Sequence, residues 1–179
     1  MSGASTVPWS ILPVAEEHID SLREALDAVA RERRWLALVE APTREECAEF
    51  VRQHIARGST QFVAVVAGRV VGWCDVVPMT RPVTRHCGVL GMGVVREFRR
   101  RGIGEALLRV ALDGARRYGL SRVELTVRPR NRGAIALYEK AGFAHEGVKR
   151  SGMSTDGGFE DVVCMGIVLA PDGAGSGER

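Results

Sequence analysis

A basic, glycine-containing turn between two apolar segments constrains this chain more than any other feature. Residues 94–108 read VVREFRRRGIGEALL, so an apolar strand is followed at once by a turn and a helix. The first backbone N–H groups of a helix have no intrahelical partner, and the helix dipole adds partial positive charge there. Gly102 and Gly104 carry no Cβ that would keep a ligand from the backbone. The segment therefore predicts a diphosphate site at a helix N-terminus.

Two other phosphate motifs are absent or incomplete. The P-loop string G-x-x-x-x-G-K-[S/T] does not occur in the sequence. The dinucleotide pattern G-x-G-x-x-G fails because Arg96 and Leu107 stand where its third glycine belongs. The remaining alternative is a solvated basic turn whose glycines only allow a tight connection.

A second segment supports the first. Residues 123–127 alternate apolar and polar side chains, as a half-buried strand does, and Pro129 breaks the pattern. Asn131 suits the N-cap of a following helix, and Gly142 suits its end.

Together these segments resemble the GNAT superfamily of acyl-CoA-dependent N-acyltransferases. Residues 99–104 are similar to its Arg/Gln-x-x-Gly-x-Gly/Ala pattern, and residues 131–143 to its Asn-x-x-Ala-x-x-Leu-Tyr-x-x-x-Gly-Phe pattern. The resemblance implies acetyl-CoA (coenzyme A) as co-substrate, with its pyrophosphate on the basic turn. The cofactor-binding residues implied are Met92, Val94, Val95, Arg99, Arg100, Arg101, Gly102, Ile103, Gly104, Glu105, Asn131, Ala134 and Tyr138.

The predicted elements run strand, two helices, three strands, helix, strand, helix and two strands over residues 9–169. This order predicts an α/β fold with a mixed sheet flanked by helices. The GNAT fold that it resembles has a mostly antiparallel sheet, splayed between its fourth and fifth strands, with a bulge that falls at residues 91–94. We expect a helix from Glu105, a flexible turn over 151–158, a flexible N-terminus (1–8) and a disordered tail (170–179).

Composition narrows the function classes. The net charge of +3 and the hydrophobic fraction of 45% are ordinary for a globular protein, and the basic residues at 96–101 are confined to one turn, unlike a nucleic-acid-binding face. No apolar run is long enough to span a bilayer, and the N-terminus has no signal pattern, so a cytoplasmic location is expected. The four cysteines and four histidines lack metal-ligand spacing, so no metal is expected. A homodimer is the default assembly.

The resemblance also implies the catalytic groups. Tyr138 would protonate the departing thiolate, and a backbone N–H near Val94 and Val95 would bind the thioester carbonyl. Many GNAT enzymes place a glutamate base on the central strand, but residues 87–95 contain none. The candidates for the base are Asp75, Glu160, Asp161 and His86, or a water relay.

The acceptor site is expected between the first two helices and the last hairpin. Candidate substrate-binding residues are Trp35, Leu36, Glu40, Met79 and Phe159. The leading hypothesis is N-acetylation of a small amine (an amino acid, an amino-acid-like antibiotic or a polyamine) by direct attack in a ternary complex. The alternatives are acetylation of protein N-termini or ribosomal proteins, and an acyl-CoA sensor without turnover.

Overall fold

One seven-stranded sheet organises the molecule. The computed structural model describes residues 8–58 and 60–169. The strands are β1 (Ser10–Pro13), β2 (Gln61–Val66), β3 (Arg69–Pro78), β4 (Cys87–Val94), β5 (Arg122–Val127), β6 (Ala144–Thr155) and β7 (Gly158–Val168). Their order across the sheet is β1-β2-β3-β4-β5-β7-β6. Only β4 and β5 run parallel, which confirms the predicted mixed, mostly antiparallel sheet.

Within the described residues, four α-helices cover the two faces of the sheet, and the sheet separates two apolar cores. The helices are α1 (Ile19–Ala30), α2 (Arg44–Ala56), α3 (Ile103–Tyr118) and α4 (Arg132–Lys140). One core joins α1 and α2 to one face of the sheet, and the other joins α3 and α4 to the opposite face. None of the described helices is long and apolar enough to cross a membrane.

Local sequence signals set the helix and hairpin ends. Thr43 and Glu46 form a capping box at the start of α2, since the Glu46 amide donates to Thr43 Oγ1 and the Thr43 amide donates to Glu46 Oε2. Ala67 and Gly68 both have positive φ, as the tight turn between β2 and β3 requires. α3 begins at Ile103, two residues before the predicted Glu105, because Gly102 already caps it.

The fourth and fifth strands separate as predicted. β4 pairs with β5 only from Cys87 to Val89, and β4 then continues alone on that side to Val94. The predicted bulge at residues 91–94 is wrong, because the β3–β4 register is unbroken from Gly72 to Pro78. Gly93 makes room for a side chain instead, since a Cβ there would lie 2.4 Å from the Trp73 ring.

The last hairpin is longer than predicted. Residues 151–155 belong to β6 and not to a flexible turn, so the connection to β7 shrinks to residues 156–157. The irregularity shows instead as a register shift between Lys149 and Met153, where Ser151 has a φ of 50°. Residues 1–7 and 170–179, on which the predicted flexible N-terminus and tail fall, lie outside the described residues.

Candidate active site

The phosphate-binding candidate is the turn at the start of α3. Gly102 is the N-cap with φ 80°, a left-handed conformation that favours glycine, and no side chain caps the helix. Arg100 also has positive φ, at 60°. Ile103 is buried in the core, so only its backbone can serve a ligand. The first amides of α3 are therefore left for an external acceptor, as an anion site requires.

The three arginines of the turn are not equivalent. The Nε of Arg99 donates to the Val94 carbonyl at 2.8 Å, and its guanidinium binds both carboxylate oxygens of Glu32. Burial alone would raise the pKa of Glu32, but hydrogen bonds from Arg99 and Trp35 hold that pKa below its ordinary value. Arg101 lies over the Phe98 ring, 5.3 Å from its centroid. Because Arg99 is engaged, the charge available to a phosphate comes from Arg100 and Arg101.

Glu105, another residue predicted to bind the cofactor, has its carboxylate engaged. It accepts a hydrogen bond from Lys140 Nζ at 2.7 Å, which ties the first turn of α3 to the end of α4. Gly104 faces α4, since a Cβ there would lie in ordinary contact with Leu137, at 3.5 Å. The backbone of Glu105 belongs to the first turn of α3 and remains part of the candidate anion site.

The free edge of β4 presents backbone polar groups to the opening beside β5. The Val95 amide donates to the Val71 carbonyl at 2.9 Å, so Val95 is paired with β3 and cannot serve a thioester. Because backbone groups alternate sides along an antiparallel ladder, the N–H groups of Met92 and Val94 face the other way, into the opening. The prediction of a free amide at Val95 is therefore corrected to Val94 and Met92.

Tyr138 and Asn131 both belong to the segment that forms α4 and its N-cap. Asn131 caps α4, where its Oδ1 accepts a hydrogen bond from the Ala134 amide at 3.3 Å. The Tyr138 side chain belongs to the core on the α3 side, 7% exposed, with its ring centroid 5.7 Å from that of Phe143. Burial, and to a smaller degree Cys74, raises the pKa of Tyr138 well above its ordinary value. The phenol therefore keeps its proton across the whole neutral range.

A pocket of about 490 Å³ lies on the opposite face of the sheet. Its walls come from α1, α2 and their connection, and its floor comes from β2, β3 and β4. The lining residues are Leu22, Leu26, Leu36, Ala37, Leu38, Pro42, Glu46, Cys47, Phe50, Gln61, Trp73, Asp75, Gly91 and Met92. Met92 belongs both to this floor and to the edge beside the opening, so the pocket reaches the strand at which an acyl donor would lie.

Asp75 is the carboxylate on the pocket floor. It lies on β3 opposite Gly91, and a Cβ at Gly91 would come within 3.3 Å of Asp75 Oδ2. Burial raises the pKa of Asp75 to about 7. Side chains alternate along a strand, so Asp75 faces the pocket while its neighbour Cys74 faces Tyr138 and α3. The two candidate proton-transfer groups therefore lie on opposite faces of the sheet, with β4 between them.

The other candidate bases are engaged or distant. Glu160 accepts a hydrogen bond from Arg128 Nε at 2.7 Å, and its side chain is 18% exposed. Asp161 accepts one from the Ser151 amide at 2.7 Å. His86 is exposed and precedes β4, at the end of the strand away from the opening. Of the four candidates, only Asp75 lines the pocket.

One of the predicted substrate-binding residues lines this pocket. Leu36 lines the pocket, whereas Trp35, Glu40, Met79 and Phe159 do not. The Trp35 Nε1 donates to Glu32 at 2.8 Å. Met79 follows Asp75 by four residues in the chain, and its amide donates to the Cys87 carbonyl. Phe159 is 77% exposed at the start of β7.

Sequence reasoning also missed lining residues. The helical spacing of Leu22 and Leu26, and that of Cys47 and Phe50, predicts only amphipathic helices with an apolar face turned inward. That spacing shows which face of a helix turns inward, but it does not separate a packed face from one that walls a pocket. In the part of the chain that the structure describes, no three His, Cys, Asp or Glu side chains come together to hold a metal ion.

Comparisons with known proteins agree with this arrangement. The model of the acetyltransferase (GNAT) family matches residues 22–143. The ribosomal protein bS18-alanine N-acetyltransferase of Escherichia coli (strain K12) is 32% identical over 92 residues, 51% of this chain and 62% of that protein's length. The L-amino acid N-acetyltransferase AaaT of the same strain is 32% identical over 112 residues, covering 62% and 69% of the two chains.

The fold comparison extends over nearly the whole chain. The solved structure of a GNAT superfamily phosphinothricin acetyltransferase from Sinorhizobium meliloti, in complex with acetyl-CoA, matches with a TM-score of 0.84. It covers 96% of this chain and 93% of that one at 19% sequence identity. At this identity the likeness concerns the fold alone.

Proposed function

Because the chain belongs to the acetyltransferase (GNAT) family, we propose that it is an acetyl-CoA-dependent N-acetyltransferase acting on the primary amine of a small molecule. One observation carries the proposal. The uncapped N-terminus of α3 is joined by residues 95–102 to the end of β4, where β4 has left β5. A diphosphate site and an extended opening therefore share one continuous stretch of backbone.

The residues at this opening fit the cofactor. The first amides of α3, with Arg100 and Arg101, would hold the pyrophosphate. The backbone of Met92 and Val94 would hold the extended arm, beside Asn131 and Ala134. Bound acetyl-CoA would supply an activated thioester as the acyl donor.

Asp75 would act as the general base. A typical alkylamine has a pKa of about 10 and attacks only as the neutral form, so a proton must be removed near neutral pH. Burial raises the pKa of Asp75 to about 7, which lets the carboxylate accept a proton and release it again in that range. Its position on the pocket floor, opposite Gly91 of β4, supports this role.

Tyr138 would act as the proton donor for the leaving thiol. Its pKa is raised by burial, so its hydroxyl stays protonated at neutral pH. Within the described residues the hydroxyl has no hydrogen-bond partner, and the ring is held by its packing against Phe143. A fixed ring with an uncommitted hydroxyl is suited to donating one proton in one direction.

Two observations bear on the choice among acceptors. The pocket volume is that of an ordinary small-molecule site. The similarity to a ribosomal-protein-alanine acetyltransferase supports a protein N-terminus as the second candidate. A sensor without turnover would retain the phosphate turn but would have no need for a buried carboxylate at the acceptor pocket.

Titration with acetyl-CoA and CoA, followed by thiol release across a panel of amines and peptides, tests the proposal. We expect binding of both nucleotides and thiol release with at least one amine. Binding without release from any acceptor would favour the sensor, and no binding would overturn the phosphate-site argument.

A tyrosine substitution separates catalysis from binding. Tyr138→Phe should lower kcat about 100-fold, because it removes a proton donor, while leaving the acetyl-CoA dissociation constant within about twofold. Tyr118→Phe is the matched control, since Tyr118 is half-exposed at the end of α3. Unchanged turnover in Tyr138→Phe would remove the tyrosine from the mechanism.

A further inference from the structure

We infer that the acceptor is a primary amine joined to an apolar group and carrying no carboxylate, an inference that rests on the proposed function. It excludes free amino acids and amino-acid-like antibiotics, which the family resemblance alone leaves open. The transfer forms an amide C–N bond and breaks the thioester C–S bond. The amine proton passes to Asp75, and the thiolate leaves with the Tyr138 proton.

The charges of the pocket carry the first step. Among the described residues that line it, Glu46 and Asp75 are acidic and none is basic. A free amino acid brings a carboxylate together with its amine, and a carboxylate taken out of water needs a cation or several donors. Here it would lie beside two acidic side chains and no cation. An ammonium group, by contrast, is attracted by both acidic residues.

Arg23 is the cation on α1 that comes near this pocket, and its Nε is bound to the backbone. Its Nε donates to the Pro42 carbonyl at 2.8 Å, which fastens α1 to the chain that enters α2. Its charge also acts on Asp20 and Asp27, whose pKa values are lowered chiefly by other arginines. Arg23 is not among the lining residues, so it leaves the pocket without a carboxylate partner.

The apolar walls carry the second step. Leu22, Leu36, Phe50 and Trp73 surround the space above Asp75. Phe50 is 38% exposed and Leu38 is 42% exposed, which places them toward the mouth, while Asp75 is buried on the floor. An acceptor that points its amine at Asp75 therefore lays the rest of its body against leucine and aromatic surface. Burial of an aryl or alkyl group is favourable there, whereas the second ammonium of a polyamine would lose its water.

Three acceptors of one shape test the charge argument. 2-Phenylethylamine, phenylalaninamide and phenylalanine share a ring and a primary amine, and only phenylalanine carries a carboxylate. We expect kcat/KM for the first two to exceed that for phenylalanine by about 100-fold, because the carboxylate is unpaired in the pocket. Phenylalanine within threefold of its amide would overturn the inference, as would a preference for spermidine or turnover of an alanine-led peptide alone.

A binding experiment separates this inference from the proposed function. CoA-saturated protein is titrated with 2-phenylethylamine and with phenylalanine, and tighter binding of the amine supports the inference whether or not thiol is released. If no acceptor releases thiol, the proposed function fails while this preference is still decided. Equal binding of the two compounds overturns the inference even if thiol release confirms an acetyltransferase.

A charge placed in the wall gives a matched pair of variants. Leu36→Arg supplies the missing cation, so the preference for phenylalaninamide over phenylalanine should shrink at least tenfold. Val83→Arg adds the same charge on the exposed loop between β3 and β4 and should leave the ratio unchanged. An unchanged ratio in a folded Leu36→Arg protein, or an equal change in both variants, would overturn the assignment of this pocket.

Discussion

The two sides of the open end of β4 are built in different ways. On the α3 side, the candidate cofactor site consists largely of backbone groups from two short stretches, residues 92–105 and the start of α4. On the α1 side, the acceptor pocket consists of side chains from α1, α2, their connection and three strands. A backbone site is specified by local sequence, because glycines and helix N-termini set the backbone conformation at their own positions. A side-chain pocket exists only after distant segments have packed.

The largest expected effect tests the acceptor side. Asp75→Asn should lower kcat/KM about 1000-fold and leave acetyl-CoA affinity unchanged, because it removes only the proton acceptor. In the unsubstituted protein kcat/KM should rise with pH through about 7, as Asp75 loses its proton, and then level off. The measurement is a pH profile of thiol release.

Asp161→Asn is the control, because Asp161 lies on β7 outside the pocket. It should leave both rate and profile unchanged. An Asp75→Asn enzyme that keeps its rate and its pH profile would transfer the role to a water relay.

A glycine pair tests the cofactor side. Gly102→Ala should weaken acetyl-CoA binding about tenfold, because a Cβ is placed at the cap that a phosphate must approach. Gly58→Ala is matched in strain, since Gly58 also has positive φ, at 76°, but ends α2 with open space around it. Titration should show weaker binding only for Gly102→Ala, while thermal denaturation should show similar losses of stability. Equal acetyl-CoA affinities of the two variants would show that the turn at Gly102 does not bind the cofactor.

The buried carboxylate also predicts a stability effect. Between about pH 4 and pH 7, folded Asp75 keeps a proton that the unfolded chain has lost, so stability falls as pH rises across this window. The Asp75→Asn protein has no carboxyl group at this position, so it does not lose stability across this window. Its melting temperature at pH 8 should be about 5 °C above that of the unsubstituted protein. The difference should shrink toward pH 4. A melting temperature that is lowered equally at both pH values would mean that Asp75 is not buried as a titrating group.

The smallest expected effect concerns a residue that the structure takes out of the catalytic role. Glu160→Gln should change kcat/KM by no more than about threefold, because Glu160 is paired with Arg128. Arg128 also donates to the Arg33 carbonyl at 3.0 Å, so the loss should appear as a modest drop in melting temperature. A 100-fold fall in rate at unchanged stability would restore Glu160 as a base.

The sequence predicted what depends on neighbours along the chain. The cap at Asn131 and the helix end at Gly142 each involve residues a few positions apart. The sheet with its splay followed from the family resemblance, which carries long-range pairing that no local pattern shows. Polar residues 151–155 looked like a loop, but their ladder with β7 outweighed local propensity.

The features that the sequence did not predict depend on contacts with residues far away along the chain. The sequence pattern predicts Arg99 as a phosphate ligand. In the fold its guanidinium instead binds Glu32, which lies 67 residues earlier in the chain. The raised pKa of Asp75 comes from burial under helices that precede its strand. The residues next to position 75 in the sequence therefore do not predict it. The same holds for Trp35, whose indole serves Glu32 and not the acceptor pocket.

The acceptor walls have a consequence for building chimeras. Every wall residue falls within residues 19–56, an uninterrupted stretch of chain, while the floor and the phosphate turn come later. Grafting that stretch from another member of the family would exchange the acceptor and keep the cofactor site. The graft must retain Glu32, however, because Arg99 of the recipient turn would otherwise be left half-buried without its carboxylate.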